Sequence, residues 1–265
     1  MRTSDGVELR VAEFGGDGPP IVLLHGLMGR ASTWWSVARL LAAHGRVIAP
    51  DARGHGRSDA RGPWTTDRMA ADVVELLEQV GPAVVIGHSM GGLHGLVAAA
   101  RSPGLVRAIV VEDMGVDFVG HSAADARAWF GALPQTWPAL AAVRQAFGHP
   151  RPEFGDYMAE CVEEREGRWR LLADVAHTTE IAAEWAARTW WDILPRVRCP
   201  ALLIEAEQSV APPGQMTAMA ARMPDARHVR LPRTGHLVHA GRPRAFGRLV
   251  EPFVQAAHRD HQASR

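Results

Sequence analysis

A serine lies between glycines in the segment Gly87–Gly91, which reads G-H-S-M-G. Four apolar residues precede this segment, and an apolar run compatible with a helix follows it. In the pattern G-x-S-x-G between a strand and a helix, the serine occupies a sharp turn that exposes its hydroxyl, and the glycines leave room for that turn. A bare match to the pattern is weak, because glycine and serine are common in ordinary turns. The strand and helix on either side favour Ser89 as a nucleophile.

A serine hydroxyl is a poor nucleophile until a neighbouring base accepts its proton. His236 is the candidate base among the 13 histidines, because it follows a strand-like run and Gly235 and comes after the serine in the chain. His239 follows at the spacing H-x-x-H, but no H-E-x-x-H pattern or third ligand accompanies the two histidines. We therefore predict a site without a metal or a cofactor.

The elements that must position these residues are indicated by hydrophobic patterning. Short apolar runs alternate with amphipathic stretches of helical period, which is typical of an α/β fold with a mainly parallel sheet. Polar residues at 15–20 are expected to close an early hairpin. The strand-like runs are Ile21–Leu24, Val47–Ala49, Ala83–Ile86, Ala108–Val111, Ala201–Ile204 and His228–Leu231. Helical spacing relates Met69, Val73, Leu76, Leu77 and Val80, and again Phe246, Leu249, Val250, Phe253 and Val254.

The alternation stops after Val111 and resumes at Ala201. An insertion of this length is too long for an ordinary connection, so we predict a core domain of residues 1–114 and 199–265 and a helical lid of residues 115–198. The lid holds six of the nine tryptophans, and most of them are expected in its own core. Trp190 and Trp191, near the return to the sheet, are expected to contact an apolar part of the substrate.

Four separated segments resemble the α/β-hydrolase superfamily, and the combination is most similar to small bacterial carboxylesterases with a helical lid. The resemblance implies an α/β-hydrolase fold, with a mainly parallel central sheet flanked by helices and a helical lid inserted after the sixth strand. It also implies that the backbone N–H groups of Leu27 and Met90 form the oxyanion hole. His25, in the same loop as Leu27, is expected at the substrate-binding site. The segments are HGLMG at His25–Gly29, DARGHGRSD at Asp51–Asp59, GHSMGG at 87–92 and GHLVHAGRP at Gly235–Pro243.

The carboxylate that should orient the histidine is missing from its usual place. The commonest family pattern puts an aspartate after the strand Ala201–Ile204, but alignment on the following proline puts Ser209 at that position. Some superfamily members carry the acid after the preceding strand, where Asp113 lies, and we favour Asp113. Glu112 and Glu207 are the alternatives. Alternation along a strand points Glu112 to the opposite face, and Glu207 is out of register.

The expected activity is hydrolysis of carboxylic esters with an apolar portion through an acyl-enzyme intermediate. A thioesterase, a lactonase, a cyclase and a non-catalytic ligand-binding receptor on the same fold remain alternatives. Serine at this turn is unlike epoxide hydrolases and haloalkane dehalogenases, which use an aspartate there. The net charge of zero argues against nucleic acid or a membrane as a partner. The polar N-terminus and the presence of two cysteines predict a cytoplasmic protein that binds a small-molecule ester.

Overall fold

The protein is described by a computed structural model that covers residues 1–120 and 128–263. Residues 121–127 of the predicted lid and the last two residues of the predicted core domain lie outside this range. The described residues contain nine strands, of which β6 and β7 form a separate hairpin. The strands are β1 (Val11–Gly15), β2 (Pro20–Leu24), β3 (Arg46–Pro50), β4 (Ala83–His88), β5 (Val106–Glu112), β6 (Val162–Arg165), β7 (Arg168–Leu171), β8 (Ala201–Gln208) and β9 (Ala226–Gly235).

The other seven strands form one sheet in the order β1-β3-β2-β4-β5-β8-β9. Every neighbouring pair is parallel except β1 and β3. This sheet confirms the predicted α/β-hydrolase fold with its mainly parallel sheet. The carboxyl ends of β4, β5 and β9, where the candidate site residues lie, therefore point to the same edge.

Helices cover both faces of the sheet, because its strands are apolar on both faces. Along β2, Val22 and Leu24 belong to one buried cluster with helices α2 and α3, whereas Ile21 and Leu23 belong to a second cluster with α1 and α9. The helices are α1 (Trp35–Leu41), α2 (Thr66–Val80), α3 (Met90–Arg101), α4 (Leu140–Phe147), α5 (Pro152–Ala159), α6 (Val175–Ala187), α7 (Gln215–Ala220), α8 (Val238–Gly241) and α9 (Pro243–Ala263).

The start of the chain differs from the expectation. Residues 15–20 connect β1 to β2 but close no hairpin, because β1 pairs antiparallel with β3. Before β1 there is only an isolated bridge between Arg2 and Glu8. The insertion therefore follows the fifth strand of the chain and not the sixth as predicted, since a single bridge is too short to form a strand.

The insertion between β5 and β8 is not wholly helical. It contains α4, α5 and α6, and also the antiparallel hairpin of β6 and β7, which the sequence analysis did not predict. Two backbone hydrogen bonds between Trp137 and Trp169 extend this hairpin. Within the described ranges, no helix has the length and apolar character needed to cross a bilayer.

Candidate active site

Ser89 occupies the turn between β4 and α3 with φ +50° and ψ −122°, a conformation that a non-glycine residue rarely adopts. The glycines on either side are required by close backbone contacts. A methyl group on Gly91 would lie 2.3 Å from the carbonyl oxygen of Leu24, and one on Gly87 would lie 2.4 Å from that of Gly91. The Ser89 amide donates to the Glu112 carbonyl oxygen at 2.8 Å, which fixes the turn to β5.

The structure brings the side chains of Asp113 and His236 together. Oδ2 of Asp113 lies 2.7 Å from Nδ1 of His236, and Asp113 is fully buried. The same carboxylate accepts hydrogen bonds from the amides of Ala206 at 2.9 Å and Val210 at 3.1 Å. Burial raises the pKa of Asp113, but the bond to the His236 imidazole and the surrounding donors outweigh it, so the pKa lies below its ordinary value. The group is therefore a carboxylate at neutral pH.

The two alternative acids have other partners. Both oxygens of Glu112 accept from Nδ1 of His239, at 2.8 and 3.0 Å, and one also accepts from the His239 amide at 2.9 Å. Glu207 accepts from the amide of Arg233. Each of these two carboxylates thus holds a segment other than the His236 ring.

The loop after β2, which contains Gly26 and Leu27, packs directly against the serine turn. A methyl group on Gly26 would lie 2.6 Å from Nδ1 of His88 and 3.2 Å from Cβ of Ser89. Leu27, the next residue, lines the same cavity as Ser89, and Met90 begins α3 immediately after Ser89. The positions of these two residues are compatible with the expected pair of N–H donors, one from each segment.

His25 does not line the cavity that contains Ser89, which corrects its expected place at the substrate-binding site. Its side chain is buried, and it bonds two backbone segments. Nε2 accepts from the amide of Ala52 at 2.9 Å, so Nδ1 carries the hydrogen that is donated to the Gly26 carbonyl oxygen at 2.8 Å. Burial lowers the pKa of His25, which keeps the ring neutral. These contacts link the loop that contains Gly26 to the segment after β3.

Ser89 and His236 open into one cavity of about 260 Å³. Apart from the two histidines, Ser89 and Tyr157, every residue of its wall is apolar or a tryptophan. Few of these residues lie at the ends of the strands of the central sheet. The insertion between β5 and β8 contributes most of the aromatic residues. The wall consists of Leu27, Met28, His88, Ser89, Met114, Phe118, Trp129, Phe130, Phe154, Tyr157, Trp185, Val210, His236 and Leu237.

Trp190 and Trp191 are not part of this wall, contrary to the expectation. Trp190 is fully buried in the core cluster beneath α3, because the chain has already returned to the sheet at this point. Nε1 of Trp191 donates to Asp117 at 2.8 Å, and its ring lies under the Arg222 guanidinium at 4.4 Å. Trp129 and Trp185 take the place that we expected these residues to have.

No motif in the sequence identifies Trp129, Trp185 or Tyr157 as cavity residues. All three belong to the insertion, whose packing no motif describes. The one signal in the sequence was the number of tryptophans there, which does not distinguish a core position from a wall position. For possible metal ligands, the described ranges contain no group of three or more histidine, cysteine, aspartate or glutamate side chains arranged to hold an ion.

Comparison with known proteins gives the same fold. A sequence family described as the alpha/beta hydrolase family matches residues 21–249. The Magnesium-chelatase 30 kDa subunit of Rhodobacter capsulatus is 32% identical over 242 residues, which are 84% of this chain and 82% of that protein. The crystal structure of E-2-(acetamidomethylene)succinate hydrolase superposes with a TM-score of 0.84 at 24% identity, over 94% of this chain and 95% of the other.

A shorter match has higher identity. The sn-1-specific diacylglycerol lipase ABHD11 of Danio rerio is 42% identical over 120 residues, which are 43% of this chain. The match covers 38% of the relative, so the similarity extends over little more than a third of that protein's length.

Proposed function

Because this chain belongs to the alpha/beta hydrolase family, we propose that it is a serine hydrolase that cleaves carboxylic esters with an apolar portion through an acyl-enzyme intermediate. The observation that supports this proposal most is the shared cavity of Ser89 and His236, together with the 2.7 Å contact between His236 and the buried Asp113.

The proton transfers follow from the tautomer of His236. Asp113 is an acceptor, so Nδ1 of His236 carries a hydrogen and Nε2 is the basic nitrogen. Nε2 takes the proton of Ser89 as Oγ attacks the ester carbonyl, and it returns that proton to the departing alcohol. Water then attacks the acyl-enzyme with His236 again as the base. Asp113 stabilises the imidazolium that forms in each step.

The developing oxyanion is assigned to the backbone N–H groups of Leu27 and Met90. Met90 is the first residue of α3, where the helix dipole also favours negative charge. Loss of one such donor costs about 3 kcal/mol of transition-state stabilisation in related chemistry.

The apolar wall of the cavity supports an ester with an apolar acyl or alcohol part. A polar substituent placed against Met114, Phe130 or Trp185 would lose its hydrogen bonds to water without replacement. The name of the Danio rerio relative, a diacylglycerol lipase, agrees with an ester of this type. The name of the Rhodobacter capsulatus relative, a chelatase subunit, keeps the non-catalytic receptor as the competing interpretation.

A fluorophosphonate probe tests this proposal, because it labels only an activated serine. We expect stoichiometric labelling of the wild type, none of Ser89→Ala, and wild-type labelling of the control Ser102→Ala. A series of p-nitrophenyl esters of increasing chain length, run beside a thioester and a lactone, then identifies the preferred acyl compound. Absence of labelling in the folded wild type would exclude the proposed hydrolase and favour the receptor.

A further inference from the structure

His88, the residue before the nucleophile, is in contact with the segment that carries the base. Its side chain is almost fully buried, and Nε2 lies 3.1 Å from the main-chain oxygen of His236. The ring centroids of His88 and His236 are 4.5 Å apart. The serine turn and the base loop are thus joined by a side chain, although they are far apart in sequence.

This contact defines the tautomer of His88. The carbonyl oxygen of His236 can only accept a hydrogen bond, so Nε2 of His88 must carry the hydrogen. Nδ1 is buried and, within the described ranges, has no hydrogen-bond partner. It is directed at Gly26, where a methyl group would lie 2.6 Å away. A second proton on Nδ1 would be a buried donor without an acceptor, which is costly.

The groups that surround His88 also disfavour its protonation, because no free carboxylate faces its ring within the described ranges. His236 faces it from the loop after β9, His239 from α8 at a centroid distance of 5.1 Å, and Tyr157 from α5 at 6.2 Å. The carboxylates at the end of β5, Glu112 and Asp113, are bound to His239 and His236. Burial lowers the pKa of His88 well below its usual value, and the neighbouring histidines, including His25, lower it further.

We propose that His88 is a positioning residue, which as a permanently neutral Nε2–H donor fixes the main chain of His236. The base is then held at two points, at ring Nδ1 by Asp113 and at its carbonyl oxygen by His88. Neutrality matters because His236 becomes an imidazolium during the reaction, and a second cation at 4.5 Å would oppose that charge. The catalytic part of this inference rests on the proposed function, whereas the hydrogen bond itself belongs to the resting protein.

The kinetic test uses two substitutions of similar length. The amide of His88→Gln retains an N–H donor, and His88→Met fills the space without one. We expect His88→Met to lower kcat on the order of 10²-fold with little change in KM, as for a small misplacement of a catalytic group. His88→Gln should recover most of this loss. The control His94→Met removes another buried histidine, on α3, and should leave kcat near the wild-type value.

The pH profile separates positioning from acid–base catalysis. In the pH profile of kcat/KM, the midpoint of the acidic limb should be the same in the wild type and in both His88 variants, while the height of the plateau differs. Equal activities of His88→Gln and His88→Met, a defect confined to KM, or a displaced acidic limb would each overturn the proposal.

A spectroscopic test needs neither turnover nor a folded His88→Met protein. Long-range ¹H–¹⁵N correlation spectra of histidine-labelled wild type, with the His88 signal assigned by its loss in His88→Gln, report the tautomer directly. We expect one neutral Nε2–H form from pH 5.5 to pH 8.5 at about constant shift. Titration within that range would refute the permanent neutrality of His88, and an Nδ1–H form would refute its hydrogen bond to His236. If the probe does not label Ser89, the hydrolase proposal fails, and these spectra still decide whether the contact exists.

Discussion

Glu112 and His239 form a buried hydrogen-bonded pair beside the candidate site, with Oε2 of Glu112 2.8 Å from Nδ1 of His239. The neighbouring residue Asp113 contacts His236 at a similar distance, with Oδ2 2.7 Å from Nδ1. Two consecutive carboxylates at the end of β5 therefore hold two histidines that are three residues apart. Of these four residues, only His236 lines the cavity that contains Ser89.

Exchange of each acid for its amide distinguishes these roles. Asp113→Asn should lower kcat for a p-nitrophenyl ester by about 10⁴-fold, because the amide no longer fixes the required tautomer and charge of His236. The carboxylate of Glu207 accepts from the Arg233 amide and not from His236. The kcat of Glu207→Gln for the same ester should therefore remain within a few-fold of the wild-type value. Near-wild-type turnover by Asp113→Asn would refute the assignment of the acid.

Glu112→Gln should affect stability more than chemistry. The substitution weakens the contacts that Glu112 makes to the His239 ring and amide, in a fully buried place. We expect the free energy of unfolding to fall by about 2 kcal/mol, measured by urea denaturation, while kcat stays within about tenfold of the wild type. A loss of activity as large as that of Asp113→Asn, with stability unchanged, would contradict this division of roles.

Gly91→Ala should destabilise the fold at the nucleophile turn. The added methyl group would lie 2.3 Å from the Leu24 carbonyl oxygen, and this contact is between two backbone segments that cannot easily separate. A cost of about 3 kcal/mol in the free energy of unfolding is expected from such overpacking. Gly104→Ala is the matched control, because a methyl group there meets open space. Equal stabilities of the two variants would argue against the close approach at Gly91.

Trp129→Ala should change substrate preference. Trp129 lines the cavity and is 48% exposed, so its removal shortens the apolar wall without opening the core. We expect kcat/KM to fall about tenfold for long-chain p-nitrophenyl esters and little for the acetate. Trp190→Phe, a change inside the core, should lower stability and leave the chain-length preference as it is. The same preference in Trp129→Ala and wild type would show that acyl chains do not contact Trp129.

The free energy of unfolding should fall steeply in mild acid. Burial lowers the pKa of His55 and of His94 to about 3, and it also lowers the pKa values of His25 and His88. Below the unfolded-state pKa near 6.5, the unfolded chain binds protons that the folded protein does not, so acid favours unfolding. Each such histidine contributes a loss of about 1.4 kcal/mol per pH unit below that value, until its folded-state pKa is reached.

Urea denaturation at pH 7.5, 6.0 and 5.0 measures this dependence. A slope that corresponds to two or more protons taken up on unfolding is expected between pH 6.0 and 5.0, and His94→Leu should reduce it by about one proton. A free energy of unfolding that is independent of pH over this interval would contradict neutral burial of these rings.

The sequence predicted those parts of the site that depend on local patterns. The turn at Ser89 is predictable because it needs glycine at positions 87 and 91. Gly87 lies close to the backbone of Gly91, and Gly91 lies close to that of Leu24 in β2. The sequence favours Asp113 because the carboxyl ends of parallel strands meet at one edge of the sheet. In the structure, the carboxylate of Asp113 lies beside His236. The roles of Ser89, His236 and Asp113 stay predictions until the variants are measured.

The parts that failed depend on packing between distant segments. The position of Trp190 and Trp191 near the return to the sheet favours contact with the substrate. In the structure, packing beneath α3 and the contact with Arg222 set the directions of the two side chains instead. The hairpin of β6 and β7 is short, half exposed and rich in charge, so it carries little apolar alternation. The motif HGLMG favours a place for His25 at the substrate, but the structure turns its ring towards Ala52.

Because Asp113 follows β5, the end of β8 and the residues after it contact this carboxylate through main-chain amides, those of Ala206 and Val210. Amides are common to all residues except proline, so most substitutions of these two side chains leave the donors intact. This stretch also borders the cavity at Val210. Position 210 can therefore be randomised to alter substrate selectivity while the contact between Asp113 and the His236 imidazole is preserved.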